Sequence, residues 1–114
     1  YTTATTDLIN SYAWDTAIVY IQNFSGDTDY SYQDTLSMKS LLKNTGTNKD
    51  EKCKINDMAS NTIEWTTEYS IFDTTPCVSR GSFYNSITMY TSRRSAYYAT
   101  KSFKSCTFRA TLYM

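Results

Sequence analysis

The chain of 114 residues has no histidine, one proline, three glycines and three cysteines. Without histidine there is no Ser-His-Asp triad, no HExxH metal site and no Cys2His2 zinc site. No apolar run approaches the roughly 18–20 residues that cross a bilayer, so no membrane insertion is expected. No signal-like leader is visible, and the chain opens on Tyr1 rather than Met, which predicts a piece cut from a longer protein. Net charge is also missing. Eleven Lys and Arg balance eleven Asp and Glu, which argues against a general nucleic-acid binder.

The balance is uneven along the chain. All eleven acids and five bases lie within residues 1–73, net −6, whereas residues 74–114 carry Arg80, Arg93, Arg94, Lys101, Lys104 and Arg109 and no acid, net +6. One account of the split is attraction between the two halves inside one fold. What the chain has in excess is hydroxyl and phenol: fourteen Ser, nineteen Thr and eleven Tyr, beside five Phe and two Trp. With 40% apolar residues and few Pro or Gly, it is a folding chain rather than a disordered one, and 1–114 is long enough for a single domain with its own core.

The Thr-rich lead Tyr1–Thr6 reads as extended. Asn10 or Ser11 suits an N-cap for a helix over residues 11–24, in which Trp14, Ile18 and Ile21, flanked by Ala13, Ala17 and Phe24, form one apolar stripe. Ser25-Gly26-Asp27 ends it. The stretch from Asp27 to Asp34 alternates oxygen ligands as a calcium loop does. Tyr32, however, stands where such a loop needs Gly and Met38 where it needs Glu, so no metal is expected. Leu36–Leu42 reads as a short helix or an irregular insert, and Lys43–Lys52 as a polar loop. Alternation of Ile63, Trp65, Thr67 and Tyr69 predicts a strand with one buried face and Trp65 as a core anchor. Short strands over Val78–Phe83 and Cys106–Tyr113 follow, the latter with Phe108 and Tyr113 inward, and Tyr84–Tyr98 shows no steady period. One or two helices followed by short, mostly antiparallel strands with long loops is an α+β pattern. Glu64, if buried, needs a bidentate partner, which Arg80, Arg94 or Arg109 can supply.

Four blocks occur in order. Asp57-Met58-Ala59-Ser60-Asn61-Thr62-Ile63-Glu64-Trp65-Thr66, Ser79-Arg80-Gly81-Ser82-Phe83, Arg94-Ser95-Ala96-Tyr97 and Thr107-Phe108-Arg109-Ala110-Thr111-Leu112-Tyr113 resemble the D-M-A-G-N-V-W-E-W-T, R-G-G-S-[WF], R-S-A-Y and G-F-R-x-x-L-Y blocks of the formylglycine-generating-enzyme-like (sulfatase-modifying) branch of the C-type lectin fold. The resemblance spans about residues 8–114. Ser60, Ser82 and Thr107 replace glycines of that pattern. Enzymes of the branch bind copper through two closely placed cysteines, whereas Cys53, Cys77 and Cys106 are far apart in sequence. The resemblance therefore implies the scaffold without the oxygen-activating chemistry, no cofactor and no catalytic residue. A Cys53–Cys77 disulfide with Cys106 free and three inert thiols both remain open.

The segment 82–107 interleaves aromatics with Ser, Thr, Asn, Arg and Lys, the composition of paratopes, in which Tyr offers contact area at little rotamer cost. The same position in the chain resembles the variable region of diversity-generating retroelement proteins, whose template adenines are copied with errors. Such copying of AAY codons does not reach Lys, Met, Trp, Gln or Glu. Phe83, Ser86, Ile87, Thr88, Tyr90, Arg93, Tyr97, Tyr98, Ala99, Phe103, Ser105 and Cys106 fit that menu, while Met89, Lys101 and Lys104 do not. The expected ligand-binding residues are Phe83, Tyr84, Ser86, Ile87, Thr88, Tyr90, Arg93, Tyr97, Tyr98, Ala99, Phe103 and Ser105, held by the constant Arg80, Gly81, Arg94, Phe108 and Arg109. The resemblance implies a non-catalytic, receptor-binding or adhesin-like module, at a cell surface, outside the cell or on a virion, facing a protein or glycan on a target cell. Its alternatives are a formylglycine-generating-enzyme-like oxidoreductase, a calcium-dependent sugar lectin (its E-P-N or Q-P-D motif is absent) and a structural domain of a surface or tail-fibre protein.

Overall fold

The computed structural model describes residues 5–32, 42–47, 50–84, 89–102 and 104–113. Helix α1 runs Ser11–Phe24, with the bounds its pattern predicts, and the Asn10 side chain caps it by accepting from the Ala13 amide at 2.7 Å. Its inner stripe is Trp14, Ile18 and Ile21, packed with Ile9, Tyr30, Met58 and Ala59 into the apolar core. Phe24 does not join the stripe. It lies exposed beside Tyr20, their ring centroids 4.8 Å apart. Gly26, at φ 78°, turns the chain in the left-handed region just past the helix.

Among the described residues eight short strands accompany the helix: β1 Thr5–Leu8, β2 Glu51–Lys52, β3 Ile55–Asn56, β4 Ile63–Tyr69, β5 Cys77–Arg80, β6 Arg94–Tyr97, β7 Cys106–Phe108 and β8 Ala110–Tyr113. β6, β5, β4 and β7 form a mixed sheet in that order, antiparallel except for the parallel pair β4–β7. β1 pairs with β8, and β2 with β3, both antiparallel. This is an α+β architecture. Ile9 joins its parts, donating to the Arg109 carbonyl at 3.0 Å and accepting from the Thr67 amide at 3.2 Å.

Several details depart from the sequence reading. The terminal strand is two strands, β7 and β8, which serve different sheets. Phe108, expected inside, is 67% exposed; the side chains of Leu112 and Tyr113 lie outside the described residues, as do residues 36–41 of the expected insert. Strand β6 occupies part of the stretch that shows no period. On β4 the buried positions are Ile63, Glu64 and Thr66, while Thr67 and Tyr69 are exposed and Trp65 is only half-buried. The register explains this. Glu64, Arg80 and Arg94 lie opposite one another across β4, β5 and β6, and Trp65, Ser79 and Ser95 form the alternate row. Arg80 and Arg94 of the charged row both pair with Asp15 on α1, and a register irregularity between Trp65 and Tyr69 breaks the alternation further. Trp14, fully buried, is the aromatic anchor of the core, and Trp65 stacks edge-on against Tyr97, centroids 5.7 Å apart.

Candidate functional site

The buried charges organise the molecule. Arg80, 2% exposed, reaches from β5 to the start of α1 and to the turn at residues 90–93. Its guanidinium donates to the Arg93 carbonyl at 3.1 Å, the Ser92 carbonyl at 3.1 Å, the Ser11 carbonyl at 3.4 Å and the Asp15 carboxylate. Arg109 grips Glu64 with two bonds of 2.9 Å and the Asn56 carbonyl with one of 2.7 Å. The bidentate partner predicted for Glu64 is therefore Arg109, and the pair ties the acidic half to the basic half. Arg94, half exposed, pairs with Glu68 at 2.8 Å, and Ser11 donates to the same carboxylate.

Burial is the strongest influence on the interior acids. It holds Glu64 above the usual carboxylate range although Arg109 pulls the other way. It raises Asp50 as well, against the opposing bonds from the Ala59 amide and the Ser60 and Tyr30 hydroxyls. Tyr30 is raised well beyond the ordinary phenol value by its own burial and by Asp50. Cys106 is pushed up to about 12 by burial and then by Glu64, so it stays a thiol at neutral pH. All three cysteines are free and half-buried, so the Cys53–Cys77 disulfide does not form. Among the described residues no cluster of His, Cys, Asp or Glu is arranged to hold a metal ion. In the stretch that imitates a calcium loop, Tyr30–Tyr32 is a 3-10 turn and Asp27 pairs with Lys52 at 3.2 Å.

The expected contact residues fall into separate groups. Tyr90 is exposed and meets the exposed Tyr32 edge-on, centroids 6.1 Å apart. Phe83 and Tyr84 are half-buried, with their rings in edge contact, and the Tyr84 amide donates to the Asn61 carbonyl at 3.1 Å. Tyr97 lies half-buried against Trp65. Tyr98, 60% exposed, and Ala99 project from a turn closed by the Lys101 amide on the Tyr98 carbonyl at 2.9 Å. Arg93 and Ser105 are half-buried, Arg93 donating to the Ser95 hydroxyl at 2.9 Å. Ser86, Ile87, Thr88 and Phe103 lie outside the described residues. Tyr32 escapes the sequence reading, because it lies far from residues 82–107 and only a tertiary contact joins it to Tyr90.

The turn that carries Tyr90 is fastened through its main chain. The Trp14 indole donates to the Thr91 carbonyl at 3.1 Å, Arg80 to the carbonyls of Ser92 and Arg93, and the Gly81 amide to the Arg93 carbonyl at 3.1 Å. The Ser92 amide in turn donates to the Ser31 carbonyl at 3.1 Å. Gly81 has no substitute here. Its φ is 88°, and a Cβ would come within 3.0 Å of the Trp14 ring and 3.2 Å of the Met58 carbonyl.

A second feature is a cleft of about 580 Å³ between the 42–47 segment and the 107–109 stretch, floored by Asp57, Asn61 and Glu64. Asp57 and Asn61 both have positive φ, 60° and 68°, a conformation these residue types tolerate. Asn61 exchanges two bonds with the Lys43 backbone, at 3.1 and 3.0 Å, and Asp57 accepts from the Gly46 amide at 2.8 Å. No protein-family model, curated protein or solved structure matches the chain.

Proposed function

We propose that the chain is a non-catalytic ligand-binding module with the C-type lectin fold, whose segment at about 82–107 is a diversified binding face of the kind made by diversity-generating retroelements. The observation that carries this reading is the way the 90–93 turn is held. Trp14, Arg80 and Gly81 bond to carbonyl oxygens of Thr91, Ser92 and Arg93, which every residue type provides. Exposed side chains on such a turn, Tyr90 among them, change without removing the bonds that position it, which is what a face rewritten by mutation requires, while the buried Thr91 stays with the frame. The exposed Tyr90 and Tyr98 supply rigid, amphipathic contact area, and Tyr32 extends it. A protein or glycan on a target cell surface is the partner that suits such a face, and the module's place is at a cell surface, outside the cell or on a virion. The thiol held protonated at Cys106 and the separation of the three cysteines in the chain favour binding over the oxidoreductase alternative.

Sequencing the same gene in sibling strains tests the proposal. Changes confined to codons for residues ~82–107 with adenine-rich templates, beside a reverse transcriptase gene and a near-copy of the 3′ end, are expected. Substitutions scattered evenly along the gene overturn it.

A further inference from the structure

A separate cleft of about 380 Å³ lies where the start of α1 meets the end of β4. The helix and its cap contribute Asn10, Ser11 and Tyr12 to it, β4 contributes Glu68 and Tyr69, and β6 contributes Arg94. Its charges cancel. Among the described residues Glu68 and Arg94 are the only ionised side chains that line it, and they pair with each other at 2.8 Å. Asp15, which Arg94 also faces at 3.9 Å, is paired with the buried Arg80. Neither an anion nor a cation therefore meets an uncompensated opposite charge here. The pair nonetheless has hydrogen-bonding capacity to spare. Both bonds to Glu68, from Ser11 and from Arg94, fall on Oε2. The buried polar side-chain atoms without a partner among the described residues are Asp57 Oδ1, Ser79 Oγ and Ser82 Oγ, so the unbonded Glu68 Oε1 is open to solvent. Arg94, half exposed, spends its Nε on Glu68, and its terminal N–H groups make no hydrogen bond among the described residues. Beside this pair stand two open rings, Tyr12 at 87% and Tyr69 at 69% exposure.

We infer that this cleft binds a neutral hexopyranose ring, with adjacent hydroxyls shared between Glu68 Oε1 and the Arg94 guanidinium and a C–H face of the sugar against the Tyr12 and Tyr69 rings. A hydroxyl both donates and accepts, so neighbouring hydroxyls match an open carboxylate oxygen beside open N–H donors, and bonds to ionised partners are the stronger kind. The negative face of a phenol ring attracts the C–H hydrogens of a sugar and packs over its apolar side. A purely apolar ligand would cover Oε1 without offering it a donor, which is costly. The volume lies toward the small end of ligand clefts, which suits a single ring. None of the twelve contact positions of the variable face lines this cleft, so the two proposals stand or fall separately.

The probes are the methyl α-glycosides of glucose, mannose, galactose and N-acetylglucosamine, with cyclohexanol, a ring of similar size bearing a single hydroxyl, as control. Each is titrated into the protein and followed by backbone amide NMR. At least one glycoside should give saturable shifts at Tyr12, Thr67, Glu68 and Tyr69, and cyclohexanol none. Arg94→Met removes the donor side of the pair at a half-exposed position, and it should weaken binding by about tenfold, as the loss of one hydrogen bond to a charged group does. Tyr12→Ala, on the exposed side of the helix, should weaken it severalfold with the denaturation midpoint unchanged. Tyr90→Ser, on the variable face, should bind the sugar as the wild type does. No saturable response to any glycoside, an equal response to cyclohexanol, or unchanged affinity in both Arg94→Met and Tyr12→Ala overturns the proposal. Saturable shifts confined to residues 89–102 would place the sugar on the variable face and overturn it as well. Should Arg94→Met fail to fold, the comparison with cyclohexanol and Tyr12→Ala decide it.

Discussion

Two regions of this molecule are held by the same number of arginines in opposite ways. At residues 90–93, Arg80 bonds to main-chain carbonyls of the segment it fixes. At residues 57–64, Arg109 bonds chiefly to a side chain, Glu64, and the neighbouring Asp57 and Asn61 use their own side chains to fasten the 42–47 segment. The first arrangement specifies a path for the backbone and makes no demand on the exposed side chain of Tyr90, although Thr91 in the same turn is buried. The second specifies particular residues. Exposed positions of a region fixed through its carbonyls are free to vary, whereas residues that fix a region through their own carboxylates and amides are not. The side chains of Asp57, Asn61 and Glu64 therefore take part in the bonding of the fold itself, while no hydrogen bond that positions the 90–93 turn uses the side chain of Tyr90.

The largest test removes the main-chain clamp. Arg80→Met leaves the Ser92 and Arg93 carbonyls without their guanidinium donor in a buried site, and it should destabilise the protein by about 3–5 kcal/mol. Its neighbour across the β5–β6 ladder, Arg94, is half exposed and pairs with Glu68. Arg94→Met should cost no more than about 1 kcal/mol. Chemical denaturation of the two variants measures the contrast, and equal losses would mean that the clamp at Arg80 does not hold the turn.

A smaller effect distinguishes the carboxylate region by pH. Asp50 and Glu64 both titrate above their ordinary values, chiefly because burial disfavours the charged form. The folded state therefore binds protons more tightly than the unfolded chain does. Their contribution to stability is complete below the ordinary carboxylate values and is lost as pH rises through the elevated folded ones. Tm should rise on acidifying from neutral toward that range. In Asp50→Asn, which retains an acceptor for the Ala59 amide, the rise should shrink. A Tm that falls on mild acidification, with the variant tracking the wild type, would show that burial does not govern these acids.

The helix was legible to the residue because its signals are local: Asn10 as cap, an apolar repeat at Trp14, Ile18 and Ile21, and Gly26 beyond the end. β4 was legible as a strand but not in its orientation. Alternation of Ile63, Trp65, Thr67 and Tyr69 assigns the core to the apolar row, yet the ladder turns Glu64 and Arg80 inward, where a distant Arg109 and Asp15 satisfy them. Ion pairs spanning 45 and 65 residues leave no periodic trace in the chain. The partnership of Glu64 with an arginine was readable as a need, and the choice among Arg80, Arg94 and Arg109 was not. The cleft was invisible for the same reason. The orphaned oxygen of Asp57 is a property of packing, and the exposure of Phe108 follows from the break that divides the last strand between two sheets.

The smallest expected effect is the most discriminating for the comparison. Tyr98→Ser and Tyr90→Ser remove large rings from exposed positions without touching the Thr91, Ser92, Arg93 and Tyr98 backbone atoms that hold the turns. Each should change stability by no more than about 0.5 kcal/mol, the range of surface substitutions away from buried features. Tyr90 also gives up its edge contact with Tyr32, an exposed pair whose loss belongs at the upper end of that range. Denaturation midpoints for the single and double variants measure this. A loss of several kcal/mol would place these rings in the structural frame, and the turn would then resemble the Glu64–Arg109 region instead of standing against it. A near-zero loss, together with the large effect at Arg80, assigns positioning to the main chain and leaves the side chains of the turn to whatever they contact outside the fold.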